Sequence, residues 1–151
     1  MSQRTLSVAV LVAAVVLATV AAVPPDDPWT STQVIAPARL ANELSNEPKP
    51  RIVCVGFKKL YQIAHVPGAI YLGPGRDAEG IGRLQAWARS VPKNAAVILY
   101  CGCCPWTQCP NVRPAFQALK EMGFTRLQVV EMPEDFGKDW VEKGFPIEKG
   151  P

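Results

Sequence analysis

Val97-Ile98-Leu99-Tyr100-Cys101-Gly102-Cys103-Cys104-Pro105-Trp106-Thr107-Gln108-Cys109-Pro110-Asn111 leads from an apolar run into a loop that holds four of the chain's five cysteines. Beyond it, Val112, Ala115, Phe116 and Leu119 recur at the spacing of one helix face, which predicts a helix over 110–122 stopped by Gly123. The run 95–100 has no polar alternation, so it reads as a strand covered on both faces, as in a parallel sheet. Strand, loop and helix in this order form a βα unit. A thiol at the carboxyl end of such a strand faces the free N–H groups of the next helix, where peptide dipoles favour a thiolate. Sulfur chemistry is therefore the first functional expectation.

The same alternation extends in both directions from this unit. Gln33-Val34-Ile35 reads as a short strand, and Ala36-Pro37 opens a helix with Leu40, Ala41 and Leu44 on one face. Arg51-Ile52-Val53-Cys54-Val55 is a second apolar strand, residues 58–63 form a helical turn, and Ile70-Tyr71-Leu72 is a strand that leaves a Pro67-Gly68 turn. A helix is predicted over 77–90, with Ile81, Leu84, Trp87 and Ala88 inward. Leu127 to Val130 is the last strand, and residues 135–143 form a closing helix that carries Phe136 and Trp140. Glu131, Glu134 and Asp135 cap or flank that helix. The expected fold is α/β, in three layers, with a mainly parallel central sheet and helices on both faces. In such sheets the reactive site lies at the carboxyl ends of the strands, where Cys101 falls.

Residues 1–22 read as an export signal: a basic start at Arg4, an apolar run from Leu6 broken only by Ser7 and Thr19, and small residues at Val20-Ala21-Ala22. The alternative is an uncleaved anchor, because the run approaches the about 20 residues that span a bilayer. Either reading puts the rest of the chain outside the cytoplasm, periplasmic or secreted, with membrane contact only if the segment is retained. Residues 23–31 read as a Pro/Asp-rich linker and 32–151 as one domain. A formal charge of +3 on 151 residues is too mild to point to a nucleic-acid partner. Five cysteines in an exported chain leave at least one free, reactive, metal-bound or paired between molecules.

Three segments together resemble the rhodanese-like family of single-domain sulfurtransferases. Ala64-His65-Val66-Pro67-Gly68-Ala69-Ile70 matches the family's Gly-His-Ile-Pro-Gly-Ala-Ile turn, and Val97 to Cys101 matches the strand that delivers its catalytic cysteine. Phe136, Trp140 and Gly144-Phe145-Pro146-Ile147 match its closing signature. The resemblance covers residues 32–150 and implies a persulfide mechanism in which Cys101 is the nucleophile. The partners it implies are a small-molecule sulfur donor and a thiol or cyanide acceptor, with no metal and no cofactor. Gly102, Cys103, Cys104, Trp106, Thr107, Gln108 and Cys109 then form the active-site loop, and Arg113 adds charge beside it. Two features depart from the family pattern. Cys54-Val55-Gly56 stands where the family usually has Asp-Val-Arg, and the cysteine loop is longer than the usual active loop.

Three roles stand open for the additional cysteines. Cys104 and Cys109 are a candidate disulfide that staples the loop. Cys104 is also spaced from Cys101 as a Cys-x-x-Cys partner, a resolving thiol for thiol-disulfide redox. Several thiolates in one loop also suit a soft metal, Cu(I) or Zn(II), although the spacing matches no paired Cys-x-x-Cys zinc site. His65, the sole histidine, reads as an anchor of the Pro-Gly turn before it reads as a catalytic base. Trp106 either lines a substrate pocket or covers the site. Trp87, Trp140 and Cys54 read as core.

Overall fold

A computed structural model describes residues 27–151. The expected signal or anchor at 1–22, and the first part of the linker, lie outside the described residues. Among the described residues no helix is long and apolar enough to cross a membrane.

Five strands, β1 (Val34–Ile35), β2 (Arg51–Cys54), β3 (Ile70–Tyr71), β4 (Ala96–Tyr100) and β5 (Arg126–Val130), form one sheet in the order β1-β5-β4-β2-β3. Every pairing is parallel. The helices are α1 (Pro37–Glu43), α2 (Lys58–Ile63), α3 (Ala78–Ala88) and α4 (Val112–Glu121). The apolar strands explain the layering. On one face Val53, Val55, Val97, Leu99, Leu127 and Val129 pack against Leu84 of α3 and Phe116 and Leu119 of α4. On the other, Ile52, Cys54, Ile98, Tyr100 and Val130 pack against Leu40 of α1, Tyr61 of α2 and Trp140. A strand buried on both faces needs apolar residues at odd and even positions, which is what the uninterrupted runs supply.

The topology places one crevice above the others. From β2 the chain crosses through α2 to β3 on one side, and from β4 it crosses through α4 to β5 on the other. The adjacent strands β2 and β4 thus send their connections apart, which opens a switch point at their carboxyl ends. Gly56 and Cys101 face each other there. A Cβ on Gly56 would stand 2.7 Å from the Cys101 carbonyl oxygen and 3.3 Å from its Sγ, so only glycine fits.

Some boundaries differ from the sequence expectation, each for a local reason. The helix predicted from Pro110 starts at Val112 because Asn111 turns its side chain inward instead of capping the helix. The closing helix is a short π-helical segment over Gly137–Val141, with Glu142 N–H bonded to the Gly137 carbonyl at 2.8 Å. Asp135 Oδ1 accepts the Lys138 N–H at 3.0 Å and so caps the segment, while Asp139 Oδ2 accepts the N–H groups of Glu134 and Asp135 just before it. The described end of the linker is not free-standing. Trp29 packs at a tilt against Trp106, with ring centroids 5.0 Å apart, and edge-on to Phe116 at 5.3 Å, while Lys120 Nζ donates to the Pro28 carbonyl at 2.8 Å.

Candidate functional site

β4 ends at Tyr100 and the loop begins with a forced turn. Gly102 has φ +66°, and a Cβ there would lie 2.7 Å from the Phe136 Cβ and 3.0 Å from the Met132 Sδ. Both the backbone angle and the space demand glycine. The loop is then pinned to the segment after β5 at two points. Phe136 N–H donates to the Gly102 carbonyl at 3.0 Å, and Trp106 N–H donates to the Met132 carbonyl at 3.1 Å. A 3-10 turn over Trp106–Gln108 brings Cys109 back beneath the loop.

The result is a cluster of sulfurs. The Cys101 and Cys103 Sγ atoms lie 3.1 Å apart, those of Cys103 and Cys104 lie 3.2 Å apart, and the thiols of Cys101, Cys103 and Cys109 all fall within 4.8 Å of one another. Cys101 and Cys109 are buried, whereas Cys103 and Cys104 are half-buried. Asn111, with 0% of its surface exposed, directs its Nδ2 at both the Cys101 and the Cys103 Sγ, each at 3.4 Å. Its Oδ1 accepts the Arg76 N–H at 3.2 Å, which fixes the orientation of the amide. Sequence reasoning passed over Asn111 as a helix-start residue. The only signal was a short polar side chain directly after the last cysteine.

The thiols share one negative charge unequally. Hydrogen bonds from Cys101 and Cys109, then from Cys104 and Asn111, hold the Cys103 thiol well below the usual thiol range. Donating that bond to Cys103 keeps the Cys101 proton in place, and contact with Cys109 and burial push the Cys101 thiol up further. Cys104 is pushed up to about 12 by burial and by donation to Cys103. Cys109 is pulled down by the Cys101 thiol but raised on balance by Cys103 and burial, against N–H groups of Asn111 and Val112. At rest the cluster is therefore a Cys103 thiolate solvated by neighbouring S–H and N–H donors.

The Cys104–Cys109 bridge considered from the sequence is not formed, and all five cysteines are free thiols. Cys104 turns toward Cys103, while Cys109 folds under the loop toward Cys101 and Cys103. Arg113 serves the loop's backbone. Its Nη1 donates to the Cys109 carbonyl at 3.2 Å and to the Trp106 carbonyl at 3.4 Å, and its Nε pairs with Asp27 at 2.8 Å. The guanidinium also lies 5.5 Å from the Trp29 ring and 5.9 Å from the Trp106 ring. Trp106 accordingly belongs to this aromatic and guanidinium clasp, with Thr107 and Gln108 exposed at its rim.

His65 anchors the turn, as its motif predicts. Its Nδ1 lies 2.8 Å from the Tyr61 carbonyl, its ring stacks on Tyr61 at 3.8 Å, and its backbone forms a bridge with Glu148. Trp140 is core, with Nε1 donating to the Pro146 carbonyl at 2.8 Å. Cys54 packs on the opposite sheet face from Cys101, and burial raises its thiol to about 11.

No family model matches the chain, and no curated protein matches it. Solved structures do. The rhodanese-like domain of an Anabaena sp. protein shares 20% identity over 78% of this chain and 79% of that chain, with a TM-score of 0.57. The polysulfide-sulfur transferase homodimer of Wolinella succinogenes shares 15% identity over 77% of each chain, with a TM-score of 0.54. Thiosulfate sulfurtransferase from Pseudomonas aeruginosa shares 21% identity, with a TM-score of 0.55, and the match spans 78% of this chain but 19% of that longer one. With its five parallel strands, helices on both faces and cysteine loop at the carboxyl end of the central strand, the chain has the rhodanese-like fold.

Proposed function

We propose that the protein is a sulfurtransferase that accepts sulfane sulfur as a persulfide on Cys101. The observation that carries this reading is the thiol pair at the strand end, in which the Cys101 S–H lies 3.1 Å from the Cys103 sulfur. Moving one proton along that contact makes Cys101 the thiolate and Cys103 the thiol. Cys101 then attacks the outer sulfur of a thiosulfate or organic persulfide donor. The donor's S–S bond breaks, and its leaving group, sulfite or thiolate, departs with the electron pair. The Asn111 amide reaches both sulfurs and so follows the charge from one to the other. The rhodanese-like and sulfurtransferase neighbours support the reading at the level of fold. A thiol or cyanide acceptor removes the sulfur in the last step.

Mass spectrometry of the reduced protein after brief exposure to thiosulfate or an organic persulfide tests this. We expect one added sulfur atom on the Cys101 peptide, trapped by rapid alkylation, and none in Cys101→Ser. An adduct that persists in Cys101→Ser, or no adduct and no donor turnover in the wild type, would reject the assignment.

The convergence of Cys101, Cys103 and Cys109 within 4.8 Å supports a second reading, a soft-cation site. Three thiolates and no imidazole or carboxylate form a donor set that favours Cu(I) or Zn(II). Titration of the reduced protein with each ion should then protect three thiols from alkylation at one ion per chain. Protection of none of them removes this reading and leaves the first untouched.

A further inference from the structure

We infer that this loop also reduces the sulfane sulfur it takes up, releasing it as sulfide while Cys101 and Cys103 close into a disulfide. The inference rests on the sulfurtransferase reading and concerns the fate of the sulfur after uptake. One active thiol suffices to carry a persulfide to an acceptor. Here a second thiol already touches the first, its Sγ 3.1 Å away. That contact is built into the backbone: Gly102, between the two cysteines, has φ +66° and no room for a Cβ, and both flanking sulfurs meet the same buried amide of Asn111. A neighbour held this way acts at an effective concentration of about 10⁵ M or more, far above that of any free thiol acceptor. The adjacent thiol therefore reaches the persulfide first.

The chemistry balances within the loop. Uptake leaves Cys101 bearing the extra sulfur and Cys103 holding the proton that Cys101 gave up. That proton passes to the terminal persulfide sulfur, directly or through the donor's leaving group. The Cys103 thiolate then attacks the Cys101 Sγ, the bond between Sγ and the extra sulfur breaks, and the electron pair leaves on hydrosulfide. The sulfane sulfur gains two electrons, and the two cysteine thiols lose them as a disulfide forms. The resting charge distribution suits this order, since Cys103 is the thiol best able to exist as a thiolate. An external dithiol reductant restores the loop by exchange, becoming a disulfide itself as Cys101 and Cys103 return to thiols. Cys109, which is within 4.8 Å of both, lies beside the new disulfide without being needed for the balance.

The test is a single turnover of reduced protein, without added reductant or oxygen, with one equivalent of thiosulfate and, in a parallel sample, one of an organic persulfide. Sulfite from the first donor, or free thiol from the second, reports uptake, and sulfide reports the second step. We expect uptake product and sulfide in equal amounts, loss of two thiols per chain, and a Cys101–Cys103 linkage in the peptide map. Cys54→Ser, altered on the far face of the sheet, should release sulfide as the wild type does. Cys103→Ser should retain the persulfide and release at least about tenfold less sulfide, because the effective-concentration advantage is lost. Uptake in the wild type with a lasting persulfide and no sulfide overturns the inference and leaves the transfer reading standing. Failure of both donors to give up sulfur overturns the transfer reading, and this inference with it. Sulfide release accompanied by a disulfide that excludes Cys103 overturns the inference alone.

Discussion

Cys54 ends β2 and Cys101 directly follows the neighbouring parallel strand β4, where Cys54 sits opposite Tyr100, one residue before Cys101. Their surroundings could hardly differ more. Cys54 turns into the face formed by Tyr61, Tyr100 and Ile52, and there burial, with only minor relief from a Gly56 N–H and Tyr100, raises its thiol to about 11. Cys101 turns to the other face and joins a loop in which every nearby sulfur or amide donates toward one shared charge. Burial alone makes a cysteine inert, whereas burial among donors makes a thiolate. The distinction depends on which side of the strand a residue occupies, and on a loop that returns three further thiols to the same point.

The largest expected effect is on alkylation at neutral pH. Cys103 should react at least about a thousandfold faster than Cys54, since the alkylating agent attacks only the thiolate. Cys104 provides the sharper comparison, because it is half-buried like Cys103 yet its thiol is pushed up to about 12. We expect Cys104 to lag behind Cys103 by well over tenfold. Peptide mapping after timed iodoacetamide exposure measures the order. Equal rates at Cys103 and Cys104 would show that exposure governs the loop and that the shared charge does not.

A smaller effect should follow from Asn111→Ala. Removing the amide takes one N–H donor from each of Cys101 and Cys103, and hydrogen bonds to a charged group are worth about 1.5–3 kcal/mol. Loss of a donor to the charged form raises the Cys103 pKa. The alkylation midpoint, read from the acid limb of the pH profile, should therefore move to higher pH by about one unit. The Arg76 N–H also loses its acceptor, so a stability loss of about 1–3 kcal/mol should accompany the shift. An unchanged midpoint in a folded variant would show that the other thiols alone hold the charge.

Much of this arrangement was legible in the chain. The uninterrupted apolar runs at 51–55 and 95–100 announced strands covered on both faces, and the alternation of strands and helices announced the parallel sheet. The strand-end position of Cys101 followed from the same pattern. What could not be read was direction. Asn111 lies within the stretch 110–122 read as helix, and only the fold shows its amide turned to the sulfurs. Arg113 lies in the first turn of α4, beside the loop where charge for the thiols was expected, yet it is committed to Asp27 and to carbonyls of the loop it clasps. Asp27 comes from a distant part of the chain, and local spacing carries no record of that pairing. Gly102 entered the sequence reading only as part of the cysteine loop. Its collision with Phe136 and Met132 is tertiary information, because those residues belong to the segment after β5.

The smallest effect returns to Cys54 and fixes the inert side of the comparison. A thiol whose folded-state value rises from 9.0 to about 11 favours the folded state while it stays protonated. That stability is complete below 9.0 and is lost as pH climbs through about 11, because the unfolded thiol ionises first. One pH unit above 9.0 the loss should be about 1 kcal/mol. Tyr100, also pushed above its usual range by burial, contributes a decline of the same sign. The wild type alone therefore cannot assign the effect. Denaturant melts of wild type and Cys54→Ala at neutral and alkaline pH isolate what depends on the thiol: the variant should keep the burial part of the Tyr100 effect and lose the Cys54 part together with the coupling between the two, so the stability gap between the proteins narrows as pH rises. A gap that stays constant would mean that Cys54 does not resist ionisation, and the contrast between the two strand ends would then rest on hydrogen bonding at Cys103 alone.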